Sequence, residues 1–464
     1  MRIKGRKGAR RWAVALTLVS LVAAGCGTRV DDSASSASRT NAGGQVLDDG
    51  SVSAAGTGDV AVDPATGEAV TQGGASGGGT ASGAGAGQRA TGAAAAAGAT
   101  GSGGPPIVIG AVGTRGGLIG DNGAGSWAAL EAWAANINSK GGINGRKVQL
   151  VIADDGADPG RHAAAVRRLV QENKVSAFVG NFAPLTFSAG IPILEEFGVP
   201  SIGGDSGELG YFKTPMAFAF NGAAFPEGRT AGKWAPGAIA KQKLAIFYIG
   251  EIEFGNRVAS QLRDGWEAAG KQVVAYATIS LGQPDYTAEI VRAQSAGAEV
   301  VAVYADFSGC RRFFDAARRQ RYRPVWVVAS ACYHPGAADA ADQTENNLFA
   351  SMPMEPPASS IPVVRELADV MRRFAPNFPN PEANGVLMRG WASGKLFERV
   401  VAESGGKTDS KSLVDALHRM KNETIFGISS PLDWPPGPHP ERPCGKMLKF
   451  DGKKWVIVTP EFIC

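Results

Sequence analysis

The stretch from residue 136 to 159, NINSKGGINGRKVQLVIADDGADP, narrows the folds open to this chain more than any other segment of it. Lys140-Gly141-Gly142 is a helix stop, because glycine adopts the left-handed conformation that a helix C-terminus needs. Asn144-Gly145 turns the chain into residues 147–153, where Val148, Leu150 and Ile152 alternate with polar neighbours and the apolar Val151 fills in. That pattern predicts a strand covered on at least one face. Asp158-Pro159 then reads as an N-cap and first-turn pair: the carboxylate accepts free backbone N–H groups, and proline has no donor to leave unpaired. A strand feeding a capped helix is one arm of a βαβ unit.

The theme repeats from Pro105 onward. Residues 107–112 form an apolar strand, and Trp127, Leu130, Ala134 and Ile137 make a helix face at spacings of three and four. Short buried strands are expected at 176–180, 200–203, 244–250, 273–279, 300–304 and 325–330. Helices are expected at 160–172, 187–197, 255–269, 286–296 and 311–320. Strands alternating with helices predict an α/β fold of parallel sheets flanked by helices. The roughly 360 residues involved exceed what one core holds, so two doubly wound lobes are expected. After 348–354 the order changes. Helical runs at 361–374, 381–403 and 411–420 have no new parallel strand after each, so they return to cover the first lobe, and a hairpin at 446–459 closes the chain.

The first hundred residues read differently. Arg2, Lys4, Arg6, Lys7, Arg10 and Arg11 open the chain without an acid, and an apolar run at 12–24 stops at Gly25-Cys26. That run is too short for a stable span but suits the core of a secretion signal. Its ending, LVAAGC, resembles the lipobox of bacterial lipoproteins, which implies removal of 1–25 and acylation of Cys26; Ala23 stands where leucine is commonest. Removing six positive charges from a formal charge of +4 leaves −2, so no basic excess steers the mature chain to nucleic acid. Residues 27–104 are nearly all Gly, Ala, Ser and Thr and bury too little apolar surface to offset backbone ordering. They read as a tether averaging roughly 50 Å end to end.

Cys310, Cys332, Cys444 and Cys464 remain, an even number in an exported chain, which suggests two disulfides with three possible connectivities. Cys310–Cys332 and Cys444–Cys464 are favoured: the first joins the ends of neighbouring strand–helix units, the second closes the C-terminal hairpin. No CxxC occurs and the four histidines are scattered, so neither a metal nor a cofactor is expected. Gly204-Asp205-Ser206-Gly207 looks like the surroundings of a protease nucleophile, but no histidine stands in a matching context. The glycines at 110, 113 and 116 do not have dinucleotide-loop spacing. The basic run Arg311-Arg312 with Arg318-Arg319-Gln320-Arg321 reads as a solvated helix face.

From 107 to about 458 the chain resembles the substrate-binding proteins of ABC importers for branched-chain amino acids and related compounds. The carriers are IGAVG (109–113), the 136–159 stretch, VSAFVGNF (175–182), EFGVPSIGGDS (196–206) and PLDW (431–434). The resemblance implies a type I periplasmic-binding fold, with lobe 1 at 105–221 plus 355–429 and lobe 2 at 222–354 plus 430–464. Crossings are expected near Asn221, Met352 to Met354 and Ser429 to Pro431. It also implies a lipid-tethered extracytoplasmic receptor that performs no chemistry, encloses a small solute and delivers it to a membrane permease; the alternative is a sensor feeding a signalling partner. Carried over position by position, Thr186, Asp205, Ser206 and Phe254 are the ligand-binding candidates, with Asp306 or Phe307 near a tyrosine of relatives and Asn122 where a tryptophan often occurs. Phe182, Phe187, Phe254 and Phe307, near strand ends, suit an aromatic or branched apolar group. Several positions depart from the pattern. Pro184 and Leu185 replace the carboxylate-clamp serine, Ser330 or Ala331 replaces the ammonium-binding glutamate, and Ala157 and Ala183 replace loop-joining cysteines of some relatives. With these departures the expected ligand is an amino acid or a different small polar or aromatic compound.

Overall fold

Helix α1 (Gly120–Ser139) follows strand β1 (Ile107–Gly113) and ends where glycine permits it. Gly142, at φ +88°, donates its N–H to Ile137 O at 2.9 Å. The Asn138 amide then clasps Val148 from both sides, donating to its carbonyl and accepting its N–H, each at 2.8 Å. This side chain acts as a mock strand neighbour and fixes where β2 (Val148–Asp154) begins. Asp158 caps α2 (Pro159–Gln171) by accepting from Arg161 N at 2.7 Å, as the sequence predicts. The computed structural model describes residues 103–116, 120–204, 207–220, 225–439, 441 and 444–464. The leader, Cys26, nearly all of the tether, Asp205, Ser206 and the crossing expected near Asn221 lie outside the described residues.

The first sheet has the order β2-β1-β3-β4-β5, with β3 at Phe178–Val179, β4 at Ser201–Ile202 and β5 at Ala217–Phe218, all parallel. Helix α3 (Phe187–Phe197) connects β3 to β4. The second sheet contains β6 (Lys243–Ile249), β7 (Gln272–Ile279), β8 (Val300–Tyr304), β9 (Val325–Val328), β10 (Leu348–Met352), β11 (Lys446–Phe450) and β12 (Trp455–Ile457). Its order is β12-β11-β10-β9-β8-β6-β7; β6 through β10 run parallel, and the final hairpin extends the edge antiparallel. Strands such as β6 and β8 are apolar and buried almost throughout, as sheets covered on both faces require. Covering the second sheet are α4 (Phe225–Ala238), α5 (Phe254–Ala268), α6 (Thr287–Ser295) and α7 (Phe307–Arg319).

Helix α4 has no counterpart among the expected elements. Gly228, Gly232 and Pro236 lower its intrinsic propensity, so the sequence reads as a loop. Packing overrides propensity here. A Cβ at Gly228 would lie 2.0 Å from Val258 O, and one at Gly232 would lie 2.5 Å from Gln261 O, so the glycines let α4 lie backbone to backbone on α5.

The late helices return to the first sheet, as their order suggests. The Pro362–Phe374 helix ties to α1 through Glu366, which receives Lys140 Nζ at 2.9 Å and Asn136 Nδ2 at 3.3 Å. The Leu387–Glu403 helix approaches α1 at Gly390 and Gly394, the latter beneath the Trp133 ring. Between β10 and this layer, Glu355 donates its N–H to Ile428 O (2.7 Å), and its buried carboxylate pairs with Lys446 Nζ at 2.6 Å. The boundary expected at 429/430 is corrected. Trp434 Nε1 donates to Ala219 O (2.9 Å) and His439 Nδ1 meets Ala217 O (2.8 Å), so the chain stays on the β5 edge as far as His439 and reaches the second sheet at Lys446. Side chains, not a backbone strand, make that attachment, and it leaves no alternating pattern to read. The disulfides are Cys310–Cys332 and Cys444–Cys464, the favoured pairing.

At Gly390 an added Cβ would stand 1.8 Å from Ser126 O, so Gly390→Ala must push the Leu387–Glu403 helix away from α1. The expected cost is about 1–3 kcal/mol, read as a lower urea midpoint at unchanged slope; an unchanged midpoint would show that the helices separate freely.

Candidate functional site

In open parallel sheets the crevice for a ligand lies beyond the C-terminal strand ends, where the strand order reverses. The first sheet reverses between β1 and β3, the second between β6 and β8. These two points face each other. Asn122, Phe182 and Pro184 come from the first side; Ile249, Tyr304, Ala305 and Asp306 come from the ends of β6 and β8. Between them lies a small cavity of about 60 Å³. Ile252, Phe254 and Leu281 complete an apolar belt, while Glu227, Ser330 and Arg389 form one polar end.

The seam around the cavity is hydrogen-bonded. Phe254 N donates to Gly207 O (3.2 Å), the Glu253 carboxylate accepts Leu209 N (2.8 Å), and Arg257 pairs with Glu441 (2.6 Å). On the far side Gly385 N donates to Tyr333 O at 2.8 Å, and Tyr333 Oη donates to Glu382 O at 2.6 Å.

The polar end is built from charges that sequence reasoning missed. Glu227 and Arg389 are 1% and 4% exposed, a depth at which ionised side chains require partners. Ser330 supplies them. Its N–H and hydroxyl donate to Glu227 Oε2 and Oε1 at 2.8 and 2.5 Å, and its oxygen accepts from Arg389 Nη2 at 3.0 Å. Glu227 sits on the unforeseen α4, and Arg389 sits in an apolar helix face, so neither stood in a readable motif. The Cys310–Cys332 bridge anchors the Ser330 turn to the start of α7. Tyr304, 2% exposed, borders the same end; burial first, then the Glu227 charge, push its hydroxyl well above the usual phenol range.

The candidates separate accordingly. Asn122, Phe182, Phe254 and Asp306 line the cavity. The Asp306 carboxylate also caps α7, accepting Gly309 N (3.0 Å) and Ser308 Oγ (2.6 Å). Phe307 turns away and stacks on His334 at 3.8 Å, and Phe187 packs in the first core against Tyr211 at 4.5 Å. Asp205 and Ser206 lie outside the described residues.

Thr186 is also not at the cavity. Its hydroxyl donates to Asp155 Oδ2 (2.7 Å), which His162 Nδ1 also meets (2.8 Å), while Thr114 Oγ1 and Ala157 N donate to Asp155 Oδ1, each at 2.8 Å. This buried knot joins the loops after β1, β2 and β3. Among the described residues no cluster of His, Cys, Asp or Glu can hold a metal ion, and no helix is long and apolar enough to cross a membrane. The basic face of α7 is paired, Arg318 with Asp342 (2.6 Å) and Arg311 with Asp339 (3.3 Å).

The family model described as periplasmic binding protein matches residues 106–435. The chain belongs to the periplasmic binding protein family. An amino acid binding protein of Pseudomonas aeruginosa is 28% identical over 197 residues, covering 42% of this chain and 52% of that one; the chain thus matches about half the length of that relative. The Leu/Ile/Val-binding protein of Escherichia coli K12 is 21% identical over 330 residues, covering 71% of this chain and 86% of that one. A branched chain amino acid ABC transporter structure from Thermus thermophilus with bound valine shares the fold, with a TM-score of 0.66, 18% identity, and coverage of 77% of this chain and 96% of that one. This periplasmic binding protein therefore has the type I fold, as its two facing α/β sheets indicate.

Burial pushes the Asp155 carboxyl up, but the bonds from His162, Thr186, Ala157 and Thr114 outweigh it and hold the group below its ordinary value. A depressed folded value means that its stabilisation is present above the unfolded pKa of about 3.9 and is lost as pH falls through the folded value. Asp155→Asn is expected to destabilise at pH 7 and to flatten the acid limb below about pH 4, measured by urea denaturation from pH 7 to 3. An acid limb identical to the parent's would remove Asp155 from the linkage.

Proposed function

We propose that this chain is an extracytoplasmic receptor that encloses a small organic solute between two lobes and presents it to an ABC importer. Lobe 1 comprises 105–221 and 355–439; lobe 2 comprises 222–354 and 440–464. One observation carries the reading: the cavity takes its walls from both sheets at their facing switch points, and the seam around it is bridged by hydrogen bonds. A solute touching both walls favours the shut arrangement by its differential affinity for it, and a permease can distinguish loaded from empty receptor by that shape. The charged groups at the cavity hold one another in place, an arrangement that serves recognition, and the solute leaves unchanged. In this reading Cys26 carries the lipid and 27–104 form the tether to the membrane; family membership supports the extracytoplasmic location.

A screen of amino acids, amides, aromatic acids and polyamines against the mature protein tests this. A binder at a hundredfold its dissociation constant is expected to add about 2.7 kcal/mol of stability, seen as a rise in melting temperature, together with a smaller radius of gyration by X-ray scattering. A rigid shape and a constant melting temperature across the whole screen would overturn the proposal. Cys26→Ser is expected to release the protein from membranes into the soluble fraction; full retention would remove that cysteine as the anchor.

A further inference from the structure

The polar end of the cavity constrains the charge of its occupant. Glu227 and Arg389 bring one charge of each sign, joined through Ser330, and Asp306 faces the N-terminus of α7 with both carboxylate oxygens engaged. Among the described residues this wall thus carries two carboxylates and one guanidinium, each already hydrogen-bonded within the protein. A carboxylate arriving there would be stripped of water beside two acids of its own sign, which is costly. A primary ammonium would need several acceptors at once, and the acids on the wall are already committed.

One group does wait for a partner. The Tyr304 hydroxyl is buried and makes no hydrogen bond among the described residues, and Tyr304 is one of the residues that line the cavity together with Glu227. Buried hydroxyls of this kind normally find a partner. Around it the wall is apolar, formed by Phe182, Ile249, Ile252, Phe254 and Leu281.

We infer that the solute is a small compound with a branched or aromatic body and a single uncharged polar head (an amide, ketone or alcohol) that pairs with Tyr304, and that Tyr304 is a specificity-determining residue of the site. The inference rests on the receptor reading and names its ligand class. It separates this chain from the expectation of a zwitterionic amino acid, whose two charges would both have to compete with bonds the wall has already made.

Two matched series test it on the mature, disulfide-bonded protein by titration calorimetry: 4-methylpentanamide, 4-methylpentanoate, 3-methylbutylamine and leucine; then phenylacetamide, phenylacetate, 2-phenylethylamine and phenylalanine. The expected result is that in at least one series the amide binds tenfold or more tightly than the acid, amine and amino acid. Tyr304→Phe is expected to weaken amide binding about tenfold, the worth of one hydrogen bond, without lowering the melting temperature of the empty protein, because the hydroxyl has no partner to lose among the described residues. A tighter acid, amine or amino acid, or amide affinity untouched by Tyr304→Phe, overturns the inference. So does failure of both amides when other compounds of the broader screen close the lobes, and in that case the receptor reading stands. If nothing in the broader screen binds, the receptor reading fails and this inference with it.

Discussion

The site depends on a single hydroxyl. Ser330 donates to a glutamate from one side of the seam and accepts from an arginine on the other, all within a region closed to water. Without that bridge Glu227 and Arg389 would be buried charges lacking a bond the fold supplies, and the cost of each would oppose bringing the two sheets together. Much else serves to keep Ser330 in place. The Cys310–Cys332 bridge fixes its turn, the α4–α5 contact sets the depth of Glu227, and the glycines of the Leu387–Glu403 helix bring Arg389 in close to the first sheet.

The fold was largely legible because parallel α/β architecture writes itself locally. Glycine stops, an Asp-Pro cap and continuous apolar strands recur in order, and each feature concerns neighbours in sequence. The same locality explains what was missed. Helix α4 looks like a loop because its glycines serve a contact with α5, thirty residues on, that no window of sequence contains. Missing α4 meant missing Glu227. The attachment of residues 431–439 to β5 escaped for the same reason: an indole and an imidazole do what a strand would otherwise do.

The candidate site was legible only in outline. Strand ends pointed to loops that edge the cavity, and Phe182, Phe254 and Asn122 are among its lining residues. Orientation within those loops was not readable. Thr186 lies in the expected segment, yet Asp155 claims its hydroxyl, and Asp306 spends its carboxylate on a helix end. Short polar side chains near strand ends have two employers, the backbone and the ligand, and residue type alone does not say which prevails. The Asp155 knot occupies the loops that hold Ala157 and Ala183, where the resemblance implied joining cysteines in some relatives. A set of hydrogen bonds stands there in a chain that uses covalent bridges elsewhere.

The Glu355–Lys446 pair has a mechanical consequence. Its two members stand on neighbouring lengths of chain that run between the halves, and both are shielded from solvent. Under the receptor reading proposed above, such a couple would act as an axle: torsion of the surrounding backbone would swing the halves apart while the ammonium and carboxylate stay in touch. Gaping and shutting then involve no making or breaking of this ionic link. Ionic strength will bear on the rims that meet and separate, and hardly at all on the pivot.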